Sequence, residues 1–221
     1  MSKADCQTYL ADLLGVLKTH WPQNRYVNLV CHGHSVPAGY FATPMVDSLN
    51  AYPHLLFTEL KARFPYAVVN VIVTAIGGEN SEAGAKRFRA DVLGHRPDVV
   101  MIDYGLNDRG LGLARAGAAW RSMIEQALAA GSKVLLLTPT WDVKQLPGAA
   151  ESEIGPRVEQ ARQIRGLAEE YGVALADSFA AFERYVTQGG DLADLMSWPN
   201  HPNRAGHELV ARELLRWFPA W

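Results

Sequence analysis

Short apolar runs alternate along the chain with longer stretches in which apolar residues recur every three or four positions. The runs have the length of β-strands, and the longer stretches have the period of amphipathic helices. Five strands are predicted, at 27–31, 67–73, 98–104, 133–138 and 173–176. This alternation is typical of βαβ units, so it predicts a parallel sheet with helices packed against it.

The amphipathic stretches predict six helices between and after the strands. They lie at about 50–64, 81–93, 113–130, 155–171, 178–187 and 204–218. The first twenty residues add a further amphipathic stretch, at 4–20, which predicts an extra helix on the outside of the sheet. We expect residues 1–221 to form one domain, because a chain of this length buries a sizeable core without a second domain.

Composition narrows the class of protein. The chain is 48% hydrophobic and 20% charged. Its net charge of −2 gives no electrostatic reason to expect binding to nucleic acid or to an anionic membrane. No run approaches the roughly 18 apolar residues of a membrane span. The first residues lack the basic and apolar regions of a signal peptide, so we expect a cytoplasmic protein. Cys6 and Cys31 have no metal or redox spacing and are predicted to be free thiols.

Polar residues follow several of the predicted strands. Ser35, within the segment CHGHSVP at 31–37, comes directly after the first strand, and His201 lies in a late loop. A serine hydroxyl is a poor nucleophile until a base takes its proton, so this pair suggests acyl transfer. The segments GGENS at 77–81 and GLND at 105–108 each follow a further strand and offer hydrogen-bond donors. Parallel strands bind ligands at their carboxyl ends, where these segments would meet.

With these four segments in this order, the chain resembles the SGNH (GDSL-like) hydrolases over nearly its whole length. The resemblance implies a flavodoxin-like three-layer αβα domain with a central parallel sheet of about five strands. It also implies a serine esterase that works through an acyl-enzyme. Carried over by residue, it implies Ser35 as nucleophile, His201 as general base, and the Ser35 N–H, the Gly78 N–H and the Asn107 amide as oxyanion donors.

Two positions depart from the family pattern. His34 stands where the first block normally has Asp, directly before the serine. Trp198 stands where the last block usually has Asp, three residues before the histidine, and an indole cannot accept a hydrogen bond. We therefore expect His201 to be oriented by the backbone carbonyl of Trp198, or by Asp194 if its loop folds back. A carbonyl preserves the tautomer, so activity is predicted to be reduced rather than lost.

The same residue types also serve purely structural roles or bind metals. Ser35 could simply cap a helix, and Asn107 could be a turn residue. His32, His34 and His201 could bind a metal, but no carboxylate shares their spacing, so we expect no metal and no other cofactor.

Three other motifs are disfavoured. The residue two positions after the serine is Pro37, whereas an α/β-hydrolase elbow needs glycine there. The glycines of a Rossmann fingerprint or a P-loop are absent.

The substrate is the least determined part of the prediction. Pocket candidates are His34, Tyr40 and Trp141, with Phe41 and Trp198 as further aromatic residues and 141–154 as a rim loop. The absence of a long apolar lid favours a short acyl group, and an acetylated carbohydrate is the first choice of substrate. Alternatives are a lysophospholipase, a thioesterase or an acyltransferase of the same family, or a catalytically weakened ligand-binding domain. The sequence leaves the oligomeric state open.

Overall fold

A computed structural model describes residues 4–143 and 151–219 of the chain. The strands of its main sheet are β1 (Tyr26–Gly33), β2 (Val68–Val73), β3 (Val99–Asp103), β4 (Lys133–Leu137) and β5 (Ala174–Ala176). Their order is β2-β1-β3-β4-β5, and every neighbouring pair is parallel. The predicted parallel five-stranded sheet is confirmed.

Helices flank this sheet on both faces. They are α1 (Ala11–Lys18), α2 (Ser35–Ala38), α3 (Tyr52–Arg63), α4 (Ser81–Asp91), α5 (Leu113–Ala129), α6 (Glu151–Tyr171), α7 (Ser178–Thr187) and α8 (Arg204–Leu215). The first is shorter than the predicted 4–20: residues 6–10 form turns, and the Asp5 carboxylate before them accepts from the Gln7 N–H at 2.7 Å. None of the described helices is long and apolar enough to cross a membrane.

The three layers follow from the side-chain alternation of the strands. In β3, Val99 and Met101 belong to the core cluster that includes α1, α3, α7 and α8. Val100 and Ile102, on the opposite face, belong to the cluster that includes α4 and α5. Successive strand residues point to opposite faces, so one buried strand supplies both cores. This accounts for a strand that is apolar almost throughout.

A short helix and a hairpin lie outside the predicted set. The short helix α2 begins at Ser35 itself, and an antiparallel hairpin of β6 (Met196–Trp198) and β7 (His201–Pro202) carries the late histidine. Strands of three and two residues are too short to show alternation, so apolar periodicity does not reveal them.

Candidate active site

The strand β1 ends in a close approach to β3. A Cβ on Gly33 would lie 2.4 Å from the Asp103 carbonyl oxygen and 2.8 Å from Pro37 Cγ, so only glycine fits at this position. The His34 N–H donates to the same Asp103 oxygen at 3.2 Å. The chain then turns directly into α2, which places Ser35 at the carboxyl edge of the sheet.

Ser35 and His201 meet there although 166 positions separate them. The His201 Nε2 atom lies 2.9 Å from Ser35 Oγ, and its Nδ1 atom lies 2.8 Å from the carbonyl oxygen of Phe41. A carbonyl only accepts, so Nδ1 carries the hydrogen and Nε2 has a free lone pair. This tautomer lets Nε2 accept the hydroxyl proton of Ser35.

The structure corrects the predicted acceptor for His201. Phe41, and neither Trp198 nor Asp194, supplies the atom against Nδ1. The Asp194 carboxylate instead accepts from the Tyr185 hydroxyl at 3.3 Å, and its backbone carbonyl accepts from the Asn203 amide at 2.9 Å. Trp198 faces its hairpin partner His201 across β6 and β7, with its side chain about half exposed.

The Phe41 carbonyl is held by its own surroundings. The Phe41 N–H donates to the Met45 carbonyl at 3.0 Å, within a tight turn of the chain. Its ring stacks on the buried ring of His207, with centroids 5.2 Å apart and planes 23° from parallel. His207 accepts in turn from the Tyr52 N–H at 3.2 Å. The acceptor for the site histidine is therefore fixed by α3 and α8.

Burial lowers the pKa of His201 below its usual range. The Phe41 carbonyl favours the protonated ring and opposes this shift, but the effect of burial is larger. The pKa of His201 is lowered overall, so the imidazole is neutral at neutral pH. The neutral ring is the state that can take a proton from Ser35.

His34 lies behind the serine and does not line a pocket, which corrects its assignment as a pocket residue. Its side chain is 1% exposed, and its Nδ1 caps α2 by accepting from the Val36 N–H at 3.1 Å. The opposite nitrogen, Nε2, lies 3.4 Å from an oxygen of the buried carboxylate of Asp103. Tyr52 donates to the other oxygen of Asp103 at 3.3 Å. The imidazole thus takes over the capping that a carboxylate could provide.

Two of the three predicted oxyanion donors, the Gly78 N–H and the Asn107 amide, come from two loops that are bonded to each other. Gly78 has φ +78°, the left-handed region that glycine adopts without strain. The Asn107 side-chain amide donates to the Glu79 carbonyl at 2.9 Å. An amide nitrogen carries two hydrogens, so this bond leaves a second one for another acceptor. Nearby, the buried carboxylate of Asp108 accepts from the Ser81 N–H at 2.8 Å and the Trp120 indole at 2.7 Å.

The remaining pocket candidates divide between rim and core. The Tyr40 ring packs against Gly77, where a Cβ would come within 2.9 Å of it, and lies 6.1 Å from the His201 ring. Trp141 is buried against Phe179 and belongs to the core, which corrects its assignment to the pocket. Part of the predicted rim loop, 144–150, lies outside the described residues.

The histidines considered as metal ligands have separate partners. His32 Nδ1 lies 2.9 Å from the Thr74 hydroxyl, and its Nε2 lies 3.2 Å from the Gly84 carbonyl. Within the ranges that the structure describes, no three His, Cys, Asp or Glu side chains are grouped as a metal ion would require.

Comparison with known proteins identifies the family. The model of the GDSL-like lipase/acylhydrolase family matches residues 31–209. The match covers the end of β1, the strands from β2 to β5, the serine and the late histidine. The chain therefore belongs to the GDSL-like lipase/acylhydrolase family, and it is a carboxylic ester hydrolase.

Two curated relatives are esterases. An acetylxylan esterase of Geobacillus stearothermophilus is 26% identical over 171 residues, covering 71% of this chain and 75% of that protein. Esterase TesA of Pseudomonas aeruginosa is 32% identical over 128 residues, covering 57% of this chain and 55% of that protein.

Solved structures share the fold. The acetylxylan esterase Axe2 of G. stearothermophilus superposes with a TM-score of 0.73 at 24% identity, over 86% of this chain and 93% of that one. LAE5, an alpha/beta hydrolase from the metagenome of Lake Arreo, superposes with a TM-score of 0.76 at 23% identity, over 92% and 97%.

Proposed function

We propose that the protein hydrolyses short-chain carboxylic esters through an acyl-enzyme on Ser35. The observation that carries the proposal is the 2.9 Å contact between Ser35 Oγ and His201 Nε2, in the tautomer that the Phe41 carbonyl selects. A hydroxyl within hydrogen-bond reach of an oriented neutral imidazole is the arrangement of an activated serine.

Each step moves one proton through His201. Its Nε2 takes the Ser35 proton as Oγ attacks the ester carbonyl carbon, and the imidazolium then protonates the departing alkoxide as the ester C–O bond breaks. Water next loses a proton to Nε2 and attacks the acyl carbon. The imidazolium returns that proton to Ser35 as the acid leaves. Both tetrahedral intermediates carry an oxyanion, which the N–H groups of Ser35 and Gly78 and the Asn107 amide would stabilise.

For the substrate, we propose an acetylated carbohydrate. One relative acts on acetylxylan by its name, and aromatic rings stand at the rim: the half-exposed Trp198 on the hairpin of His201, and Tyr40 beside Gly77. Aromatic faces suit the apolar faces of sugar rings. A relative named only as an esterase keeps other short esters as the alternative.

The first test compares hydrolysis of p-nitrophenyl acetate, butyrate and octanoate by the wild type and Ser35→Ala, with fluorophosphonate labelling followed by mass spectrometry. We expect a label on Ser35, loss of activity in the variant and the highest rate with acetate. Ser132→Ala is the matched control, because Ser132 is also buried and bonded, to the Pro97 carbonyl at 2.7 Å, but precedes β4 at the far edge of the sheet. Equal rates for wild type and Ser35→Ala would refute the nucleophile.

The carbohydrate is tested separately, by acetate release from acetylated xylo-oligosaccharides relative to p-nitrophenyl acetate. Added alcohols that divert the acyl group from free acid would instead indicate acyl transfer.

A further inference from the structure

Beneath the loops that carry Gly78 and Asn107 lies a polar cluster that the proposed mechanism does not use. We call its members, His32, Glu79, Arg87 and Tyr104, the loop-support cluster. His32 and Tyr104 are fully buried, and the side chains of Glu79 and Arg87 are only 10% and 17% exposed. Burying so many polar groups costs free energy unless each one is hydrogen-bonded. Each of these four side chains is hydrogen-bonded within the cluster.

Two hydrogen bonds between the loops and one within the Asn107 loop form a closed ring. The Asn107 amide donates to the Glu79 carbonyl at 2.9 Å. The Asn107 N–H donates to the Tyr104 carbonyl at 3.1 Å, and the Tyr104 hydroxyl donates to the Glu79 carboxylate at 2.8 Å. The Glu79 carbonyl thereby holds the side chain of Asn107, and the Tyr104 carbonyl holds its backbone. The bond between the Glu79 and Tyr104 side chains fixes these two carbonyls relative to each other.

Arg87 closes the cluster from α4. Its guanidinium grips both oxygens of the Glu79 carboxylate, with Nε at 2.8 and 3.0 Å and a further bond from Nη2. Burial acts to raise the pKa of Glu79, but the bonds from Arg87 and Tyr104 outweigh it and the net shift is downward. The carboxylate stays ionised and remains an acceptor for the Tyr104 hydroxyl.

The base of the cluster has a defined protonation pattern. Since Tyr104 gives its one hydrogen to Glu79, His32 Nε2, 3.1 Å from that hydroxyl oxygen, must be the donor. Its Nδ1 then accepts from Thr74 at 2.9 Å. Burial, with the charge of Arg87, lowers the pKa of His32 to about 4, in keeping with a neutral ring. The donor and acceptor roles of His32 and Tyr104 are therefore assigned.

We propose that Glu79 and Tyr104 are positioning residues that aim the Asn107 amide at the oxyanion. The proposal rests on the proposed function, in which Asn107 stabilises that charge. With one amide hydrogen tied to Glu79, the second has a fixed direction, and preorganised donors are effective because they need no reorganisation during the reaction. Removal of a whole oxyanion donor costs ~10²–10³-fold in kcat, so loosening one should cost less, ~10-fold.

The test is a double-mutant cycle of Tyr104→Phe and Asn107→Ala, measured as kcat and KM on p-nitrophenyl acetate. If Tyr104 acts through Asn107, Tyr104→Phe lowers kcat ~10-fold with little change in KM, and has almost no further effect once Asn107 is alanine. Glu79→Gln in the same cycle repeats the test without emptying the Tyr104 site, should Tyr104→Phe fail to fold.

Tyr9→Phe is the matched control. The Tyr9 hydroxyl donates to the Val134 carbonyl at 3.1 Å and accepts from the Val134 N–H at 3.0 Å, near the start of β4 and so away from the carboxyl edge. Its loss should lower stability and leave kcat unchanged.

The outcomes separate the two proposals. Full multiplicative losses in the double variant, or an unchanged kcat in Tyr104→Phe and Glu79→Gln, overturn the positioning role while the esterase stands. An unchanged kcat in Asn107→Ala overturns the oxyanion assignment and the positioning role with it.

Discussion

Acid should unfold this protein through two buried histidines outside the proposed proton-transfer step. His207 is fully buried, and the Tyr52 N–H occupies its Nδ1, so the neutral ring carries its hydrogen on Nε2. Among the described residues that Nε2 has no hydrogen-bond partner, and burial outweighs the attraction of Asp47 for a charged ring. Burial lowers the pKa of His207 to about 3, and burial with the Arg87 charge lowers that of His32 to about 4.

The two histidines bind protons less readily in the folded protein than in the unfolded chain, which determines how stability changes with pH. An unfolded histidine has a pKa of about 6.5, so below that pH the unfolded chain takes up protons that the folded protein refuses. Stability is therefore complete above about pH 6.5 and is lost as the pH falls toward the folded values. At pH 4 the loss amounts to about 3 kcal/mol for each ring, or about 6 kcal/mol together. A typical domain has only about 5–15 kcal/mol in total.

The assay is urea unfolding at a series of pH values between 7.5 and 4.5. The wild type should lose up to about 2.7 kcal/mol per pH unit, the slope for two protons. His207→Asn keeps an acceptor for the Tyr52 N–H but cannot titrate, so its slope should fall to about 1.4 kcal/mol per unit, one proton. An unfolding free energy that stays constant across this range, or equal slopes for the two proteins, would show that the histidines are not the cause.

Three further predictions concern the site. Because burial lowers the pKa of His201, the acid limb of kcat/KM for p-nitrophenyl acetate should lie below pH 6.5, and a limb above 6.5 would contradict the burial argument. Gly84→Ala places a Cβ 2.2 Å from the Tyr104 hydroxyl, so it should cost about 1–3 kcal/mol in urea unfolding and also lower kcat. Gly78→Ala has room for its Cβ but must keep a positive φ, so backbone strain should cost about 1–2 kcal/mol in urea unfolding. An unchanged urea midpoint would refute the steric argument for Gly84→Ala or the strain argument for Gly78→Ala.

Apolar periodicity predicts most of this fold because the central strands of the sheet are buried on both faces. β3 has four consecutive apolar residues, all of them buried, and α5 has a periodic apolar face. The same parallel topology brings segments that follow different strands to one edge, which explains why Ser35 and Asn107 could be placed from sequence. The hairpin of His201 could not be predicted in this way, because its strands are too short to show a period.

What sequence could not reveal is backbone chemistry. Every residue has a carbonyl, so nothing in the sequence distinguishes Phe41 as the partner of His201. A turn of the chain and packing on His207 place the Phe41 carbonyl there. The loop-support cluster is hidden for a related reason. Glu79 and Arg87 are eight positions apart, across a turn and a helix start, and a pair at that spacing meets only when the fold is known. Tyr104 follows a different strand altogether.

Replacing a carboxylate by a carbonyl beside His201 affects rate and pH dependence together. In a well-studied triad, changing the aspartate to asparagine costs ~10⁴-fold in kcat, chiefly through the wrong tautomer. The Phe41 carbonyl accepts from Nδ1–H and so preserves the right tautomer. The remaining difference is that no negative charge stabilises the imidazolium when it forms. That missing charge, combined with burial, also leaves the pKa of His201 low. Under the proposed mechanism the site is therefore a weaker base than a carboxylate triad, but one that stays unprotonated in more acidic solution.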